Sequence, residues 1–90
     1  MTMIKVKLYA EYRDMLGKNE IDVPCDQRTF KEIIDYISNK YDKEFVKAAI
    51  QNGKINEYML VMVGDRMLTS IDDTIKSGET LKILATAHGG

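Results

Sequence analysis

Of the residue types that do covalent or metal chemistry, this 90-residue sequence holds few. It has one cysteine, Cys25, and one histidine, His88. A lone cysteine forms no internal disulfide and no cysteine-based zinc cluster, and one histidine is too few for a histidine-rich metal site. The two are far apart in sequence, and Cys25 reads as a small residue in a loop after a strand rather than as a nucleophile. The carboxylate pairs Asp22/Asp26 and Asp72/Asp73 read as turn and cap residues. The five tyrosines lack the basic interleaving of a base-stacking platform. No phosphate-cradling glycine loop is present, and Lys5 and Lys7 read as a solvated strand face.

The stretch that stands apart is the last six residues, Ala85-Thr86-Ala87-His88-Gly89-Gly90. None is large and apolar, so the segment is expected to leave the domain as a flexible tail. Six extended residues reach about 20 Å. Gly89 and Gly90 have no Cβ, which makes the end thin enough for a narrow channel in another protein.

The rest of the chain must position that tail. Ninety residues with 44% hydrophobic content fit one domain with a core that needs no staples. Thirteen basic against fourteen acidic residues, net −1, speak against a dedicated nucleic-acid binder. The apolar runs fall well short of the ~18 residues of a membrane span. No secretory pattern shows at Met1-Thr2-Met3-Ile4-Lys5, so a cytoplasmic location is expected.

Residues 3–9 alternate, with Ile4, Val6 and Leu8 on one face, and predict a half-buried strand. Residues 10–16 predict a short helix ended by Gly17. Residues 19–23 predict a second strand, stopped by Pro24 and antiparallel to the first. Phe30, Ile33, Ile34 and Ile37 form an i, i+3, i+4, i+7 stripe, extended by Tyr41, and Thr29 with Glu32 is a capping-box pattern at its start. A shorter helix is expected after Asp42, carrying Phe45, Val46, Ala49 and Ile50 and ended by Asn52-Gly53. Tyr58–Val63 reads as a buried strand, Gly64-Asp65 as a hairpin link, 66–69 as its return strand, Ser77-Gly78 as a turn and 81–84 as the last strand. The sum is an α+β domain over residues 1–84, one main helix lying across a mixed sheet, with a tail at 85–90.

Several stretches, in order and spacing, resemble the ubiquitin-like β-grasp proteins, and more narrowly the MoaD/ThiS family of sulfur carriers. They are Ile4-Lys5-Val6-Lys7-Leu8-Tyr9-Ala10, Arg13-Asp14-Met15-Leu16-Gly17, Asn52-Gly53-Lys54, Val61-Met62-Val63-Gly64-Asp65-Arg66, the segment from Ile71 to Leu81, and His88-Gly89-Gly90. MoaD and the MoaD-like archaeal modifiers are the nearer resemblance, because ThiS proteins are generally shorter and lack the second helical stretch. Thr86-Ala87-His88 departs from the prolines and small apolar residues that many MoaD proteins carry there.

The resemblance implies that the first and last strands are adjacent and parallel, and that Gly90 is the reacting residue. An α-carboxylate, with a pKa near 3.3–3.7, is ionised at neutral pH and is a poor acyl electrophile. A MoeB/ThiF-like adenylyltransferase would spend ATP to make it an acyl-adenylate, and sulfur transfer would give a thiocarboxylate. The chain itself binds no cofactor or metal in this reading. A MoaE-like molybdopterin synthase large subunit would receive the tail and deliver its sulfur to a pterin. The alternatives are a tRNA-thiolation carrier or a protein modifier joined to target-protein lysines, and a plain β-grasp binding module. The outer sheet face is the expected docking surface, with Met59 and Met67 on it and His88 as a further partner contact.

Overall fold

The computed structural model describes residues 2–86. Strand β1 (Met3–Leu8) leads into helix α1 (Ala10–Leu16) and strand β2 (Glu20–Pro24). Strand β3 (Gln27–Thr29) precedes the main helix α2 (Phe30–Lys40), which is followed by the short helix α3 (Phe45–Ala49). Six short or medium strands complete the chain: β4 (Ile50–Gln51), β5 (Lys54–Ile55), β6 (Met59–Val63), β7 (Arg66–Met67), β8 (Thr74–Lys76) and β9 (Thr80–Ala85). The main sheet runs in the order β2-β1-β9-β6-β7. Its centre is the expected parallel pair, with Val6 opposite Leu81 and Leu8 opposite Ile83. The other contacts in the main sheet are antiparallel. This is the ubiquitin-like β-grasp architecture that the sequence predicts.

Helix α2 forms for the reasons its sequence gives. The Glu32 amide donates to Thr29 Oγ1 at 3.1 Å and the Thr29 amide donates to Glu32 Oε1 at 2.9 Å, closing the capping box. Its stripe of Phe30, Ile33, Ile34 and Ile37 is fully buried, together with Ile4, Val6, Val23, Leu81 and Ile83 from the sheet. Ser38 is the one buried polar side chain among the described residues. It donates to the Asp42 carbonyl and accepts the Val46 amide, which ties α2 to α3. Helix α1 ends where the sequence places its stop, with Gly17 in the left-handed region (φ 68) and its amide on the Arg13 carbonyl.

The cap carries a testable pH dependence. The Thr29 amide hydrogen bond holds the Glu32 carboxyl below its usual value, with Arg28 and Lys31 adding to the effect. A lowered folded-state pKa means that this stabilisation is in place above the unfolded value of about 4.3 and is lost as pH falls through the folded one. Thermal melts should therefore show Glu32→Gln less stable than the parent at neutral pH, with the gap closing in acid. Thr29→Ala should cost about 1 kcal/mol of stability at neutral pH.

Three features differ from the sequence expectation. Asn52-Gly53 does not end a helix. It is the turn of a small hairpin in which Ile50 faces Ile55, and Asn52 and Gly53 both adopt positive φ. Strands β3 and β8 pair with each other as a separate two-stranded ribbon at the start of α2, placing Ile75 in the core. The last strand also runs beyond residue 84, with Ala85 paired to Met59.

Candidate functional site

Gly90, Gly89 and His88 lie outside the described residues. The structure does describe the base from which they leave. Strand β9 ends at Ala85, and the next amide, Thr86 N–H, donates to the Tyr58 carbonyl at 3.0 Å. The Tyr12 hydroxyl donates to the same carbonyl at 3.4 Å. Tyr12 is buried on α1, and the ring's burial, with Glu11 nearby, pushes its phenol pKa up, so it stays a neutral donor. The Tyr9 amide donates to the Ile83 carbonyl at 3.1 Å, which fixes the end of β1 against β9. Two donors on one carbonyl thus anchor the chain at Thr86, past residue 85, where the sequence expects the tail to begin. Four residues remain beyond that point. Fully extended they span about 13–14 Å, shorter than the ~20 Å of a six-residue tail.

Tyr12 and Tyr58 carry no motif in the sequence, and only the tertiary fold brings them to the tail's base. Replacing Tyr12 by Phe should leave the fold intact and cost at most about 1 kcal/mol, because the bond is long and Tyr58 keeps its Thr86 partner. Amide exchange at Thr86 should quicken. An unchanged rate would show that the Tyr12 hydroxyl does not help to hold the base.

The outer sheet face divides by register. Glu20, Lys7, Lys82, Met62 and Met67 form one cross-strand row over five strands. Leu60 and Leu84 face each other beside it. Met67 is 53% exposed, on the face expected for it. Met59 is not. It is only 5% exposed and belongs to the core with Val61 and Val63. The run from 58 to 63 is apolar at every position, so parity is set by pairing with β9. Pairing Met59 with Ala85 turns Leu60 and Met62 outward instead.

Of the other chemistry-bearing residues, Asp73 and Cys25 have their side chains engaged in the fold, and Asp26 its main-chain carbonyl. Asp73 Oδ2 accepts the amides of Thr69 and Ser70. The Asp26 carbonyl accepts the Ser77 amide. Cys25 packs partly against the core with its thiol on the Val23 carbonyl. Burial pushes its pKa up, away from the thiolate that a nucleophile needs. Among the described residues no cluster of three His, Cys, Asp or Glu side chains is arranged to hold a metal ion, and no helix is long and apolar enough to cross a membrane.

Comparison with known proteins places this geometry. By fold the chain is similar to SAMP1 from Haloferax volcanii, at 16% identity and TM-score 0.77, with 98% of this chain and 99% of that one covered. It is similar to a protein assigned as molybdopterin converting factor, subunit 1, from Pyrococcus furiosus, at 20% identity and TM-score 0.73, covering 97% and 100%. It is also similar to a chain of the BexX/CysO complex of Amycolatopsis orientalis, at 22% identity and TM-score 0.78, covering 97% and 99%. A search of curated proteins gives no match. The ThiS family pattern matches residues 6–90, nearly the whole chain and its two terminal glycines, and the chain therefore belongs to the ThiS family.

Proposed function

We propose that this protein is a sulfur carrier whose reacting group is the Gly90 carboxylate. The observation that carries the reading is the family match, which extends through Gly89 and Gly90. In this reading a MoeB/ThiF-like adenylyltransferase binds the domain and admits the tail. A Gly90 carboxylate oxygen attacks the α-phosphorus of ATP, and pyrophosphate leaves. A sulfur donor at the sulfide oxidation level then attacks the acyl carbon and AMP leaves, giving a thiocarboxylate. The domain's part is to hold the tail's base at Thr86 and to present a surface for the partner, and the chain needs no catalytic side chain of its own.

For the destination of the sulfur we favour molybdopterin synthesis, with a MoaE-like large subunit as the acceptor. The supporting observation is the likeness to a protein assigned as a molybdopterin converting factor subunit, covered over its whole length. A second reading, a modifier joined through Gly90 to a lysine amine, is supported by the likeness to small archaeal modifier protein 1. In both readings the protein works in the cytoplasm, where ATP is supplied.

The test is to incubate the chain with ATP, its adenylyltransferase and a sulfur donor, and to weigh it intact. Sulfur in place of one oxygen at Gly90 supports the carrier. Recovery of branched Gly-Gly-lysine peptides from cells supports the modifier. A chain that gains neither sulfur nor a conjugate overturns both readings.

A further inference from the structure

Along the chain the tyrosines are not interleaved with basic residues, but the fold interleaves two of them. On the exposed side of α2, Arg28 Cζ lies over the Tyr36 ring at 5.8 Å and Lys40 Nζ over the same ring at 5.6 Å. Lys40 Nζ also lies over the Tyr41 ring at 5.7 Å, and Lys18, just after α1, lies over Tyr41 at 5.4 Å. Cation and ring thus alternate from Arg28, before the first turn of α2, to Lys18, beside its last. Lys18 and Lys40 are exposed, and both rings are half-buried against the core.

Among the described residues none of these three cations is in an ion pair. Two carboxylates, Glu32 and Asp35, line the same shallow depression as Arg28, Tyr36 and Lys40. Glu32 is held in the capping box, and Asp35 pairs with Lys31 at 3.0 Å. A ring orients a cation without cancelling its charge. The row therefore presents three oriented positive charges whose partners are rings rather than carboxylates, a local excess that the whole-chain charge of −1 hides. The 3.3 Å hydrogen bond from Lys40 Nζ to the Tyr36 hydroxyl raises the Lys40 pKa, so this charge persists well above neutral pH.

We propose that this row is a weak binding site for the phosphate backbone of single-stranded RNA. Helix α2 is about 16 Å long. A stacked strand carries one phosphate per about 3.4 Å of its axis, so a strand laid along the helix brings about five phosphates past three cations. Arginine meets phosphate as a bidentate fork and lysine as a point charge. An acidic protein surface would also be attracted, but cations in line along one helix, with rings between them for base contact, favour a nucleic-acid strand. The sheet lies between this row and its own outer face, so the row stays open while a partner holds that face and the tail. The use of the site rests on the carrier reading, in which a chain bringing sulfur to an RNA base gains from a hold on that RNA. The binding itself does not depend on that reading.

The test is a titration of the full chain with a short single-stranded RNA at low salt, followed by backbone amide shifts in NMR. Shifts should gather at Lys18, Arg28, Tyr36, Lys40 and Tyr41. Three phosphate contacts on a single strand give log K a slope of about −2 against log salt. Lys40→Gln releases one counterion fewer, so it should bind about tenfold more weakly at ~20 mM salt and flatten the slope by ~0.7. Tyr36→Leu keeps the charge count but frees Arg28 and Lys40, so it should weaken binding with the slope unchanged. Lys40→Gln alters an exposed side chain and should melt as the parent does, so it decides the matter even if Tyr36→Leu does not fold. Absence of shifts, shifts gathered on Lys5, Lys7 and Lys82 instead, or an unchanged affinity in Lys40→Gln overturns the proposal. A glutamate-rich peptide that shifts the row at lower concentration than the RNA assigns it to an acidic protein and overturns the proposal too. Sulfur loading is read separately. Lys40→Gln should be loaded as the parent is, and a parent chain that is never loaded removes the carrier reading while the titration still decides the row.

Discussion

A chain lacking Gly90 will not be loaded with sulfur. Its carboxylate would sit on Gly89, one residue or about 3.3–3.6 Å short of the parent position. Misplacement of a reacting group by about 1 Å can already cost ~100-fold in rate, so the loss here should be at least that large. The fixed base makes the expectation sharper. With Thr86 hydrogen-bonded to the Tyr58 carbonyl, the missing length cannot be recovered by drawing residues out of the sheet without breaking that bond and the Ala85–Met59 pairing. Replacing Gly89 by Phe should also stop loading, by blocking the channel rather than by shortening the reach. Both variants should melt as the parent does. Intact mass after incubation with ATP, the adenylyltransferase and a sulfur donor reads the outcome directly, and full loading of the shortened chain would remove Gly90 from the mechanism.

Phe30→Ala should be the most damaging single change to the fold. Phe30 is fully buried at the first turn of α2, and its amide is held by the Asp73 carbonyl, so the site cannot easily collapse. Truncations of this kind cost about 3–5 kcal/mol. A 90-residue domain has roughly 5–13 kcal/mol in total, so the loss is a large fraction. Each kcal/mol lowers the melting temperature by about 4–8 °C at this size. Ile34→Ala, equally buried, should cost about 2–5 kcal/mol. Met67→Ala, on the open face, should cost well under 1 kcal/mol. A loss below about 1 kcal/mol for Phe30→Ala, read from denaturant melts, would contradict the packing described above.

What could be read without the structure follows from the strength of local signals. The α2 stripe repeats at helical spacing and has its own cap, so helix and buried face were both legible. β1 alternates cleanly, and Lys5 and Lys7 were placed on its outer side. The faces of β6 were not legible, because residues 58–63 are apolar throughout and only the register with β9 decides that Met59 turns in and Met62 turns out. Strands β3 and β8 are three residues each and mostly polar, with Ile75 the sole buried side chain between them, so neither shows a period. The terminal glycines stand out in the sequence because their signal is local. The base at Thr86 does not, since it joins Tyr12, Tyr58 and β9 from distant parts of the chain.

The position of β9 also has a mechanical meaning. It lies inside the main sheet, with four register pairs to β1 on one side and five to β6 on the other. A pull on the tail, by an enzyme drawing it into a channel or by a cargo joined to Gly90, is directed along this strand. The ladders on both sides then bear the load together in shear, whereas an edge strand would peel away one bond at a time. In the proposed carrier role the domain would therefore take traction at its tail without unravelling, and would be threaded, discharged and released in its folded form.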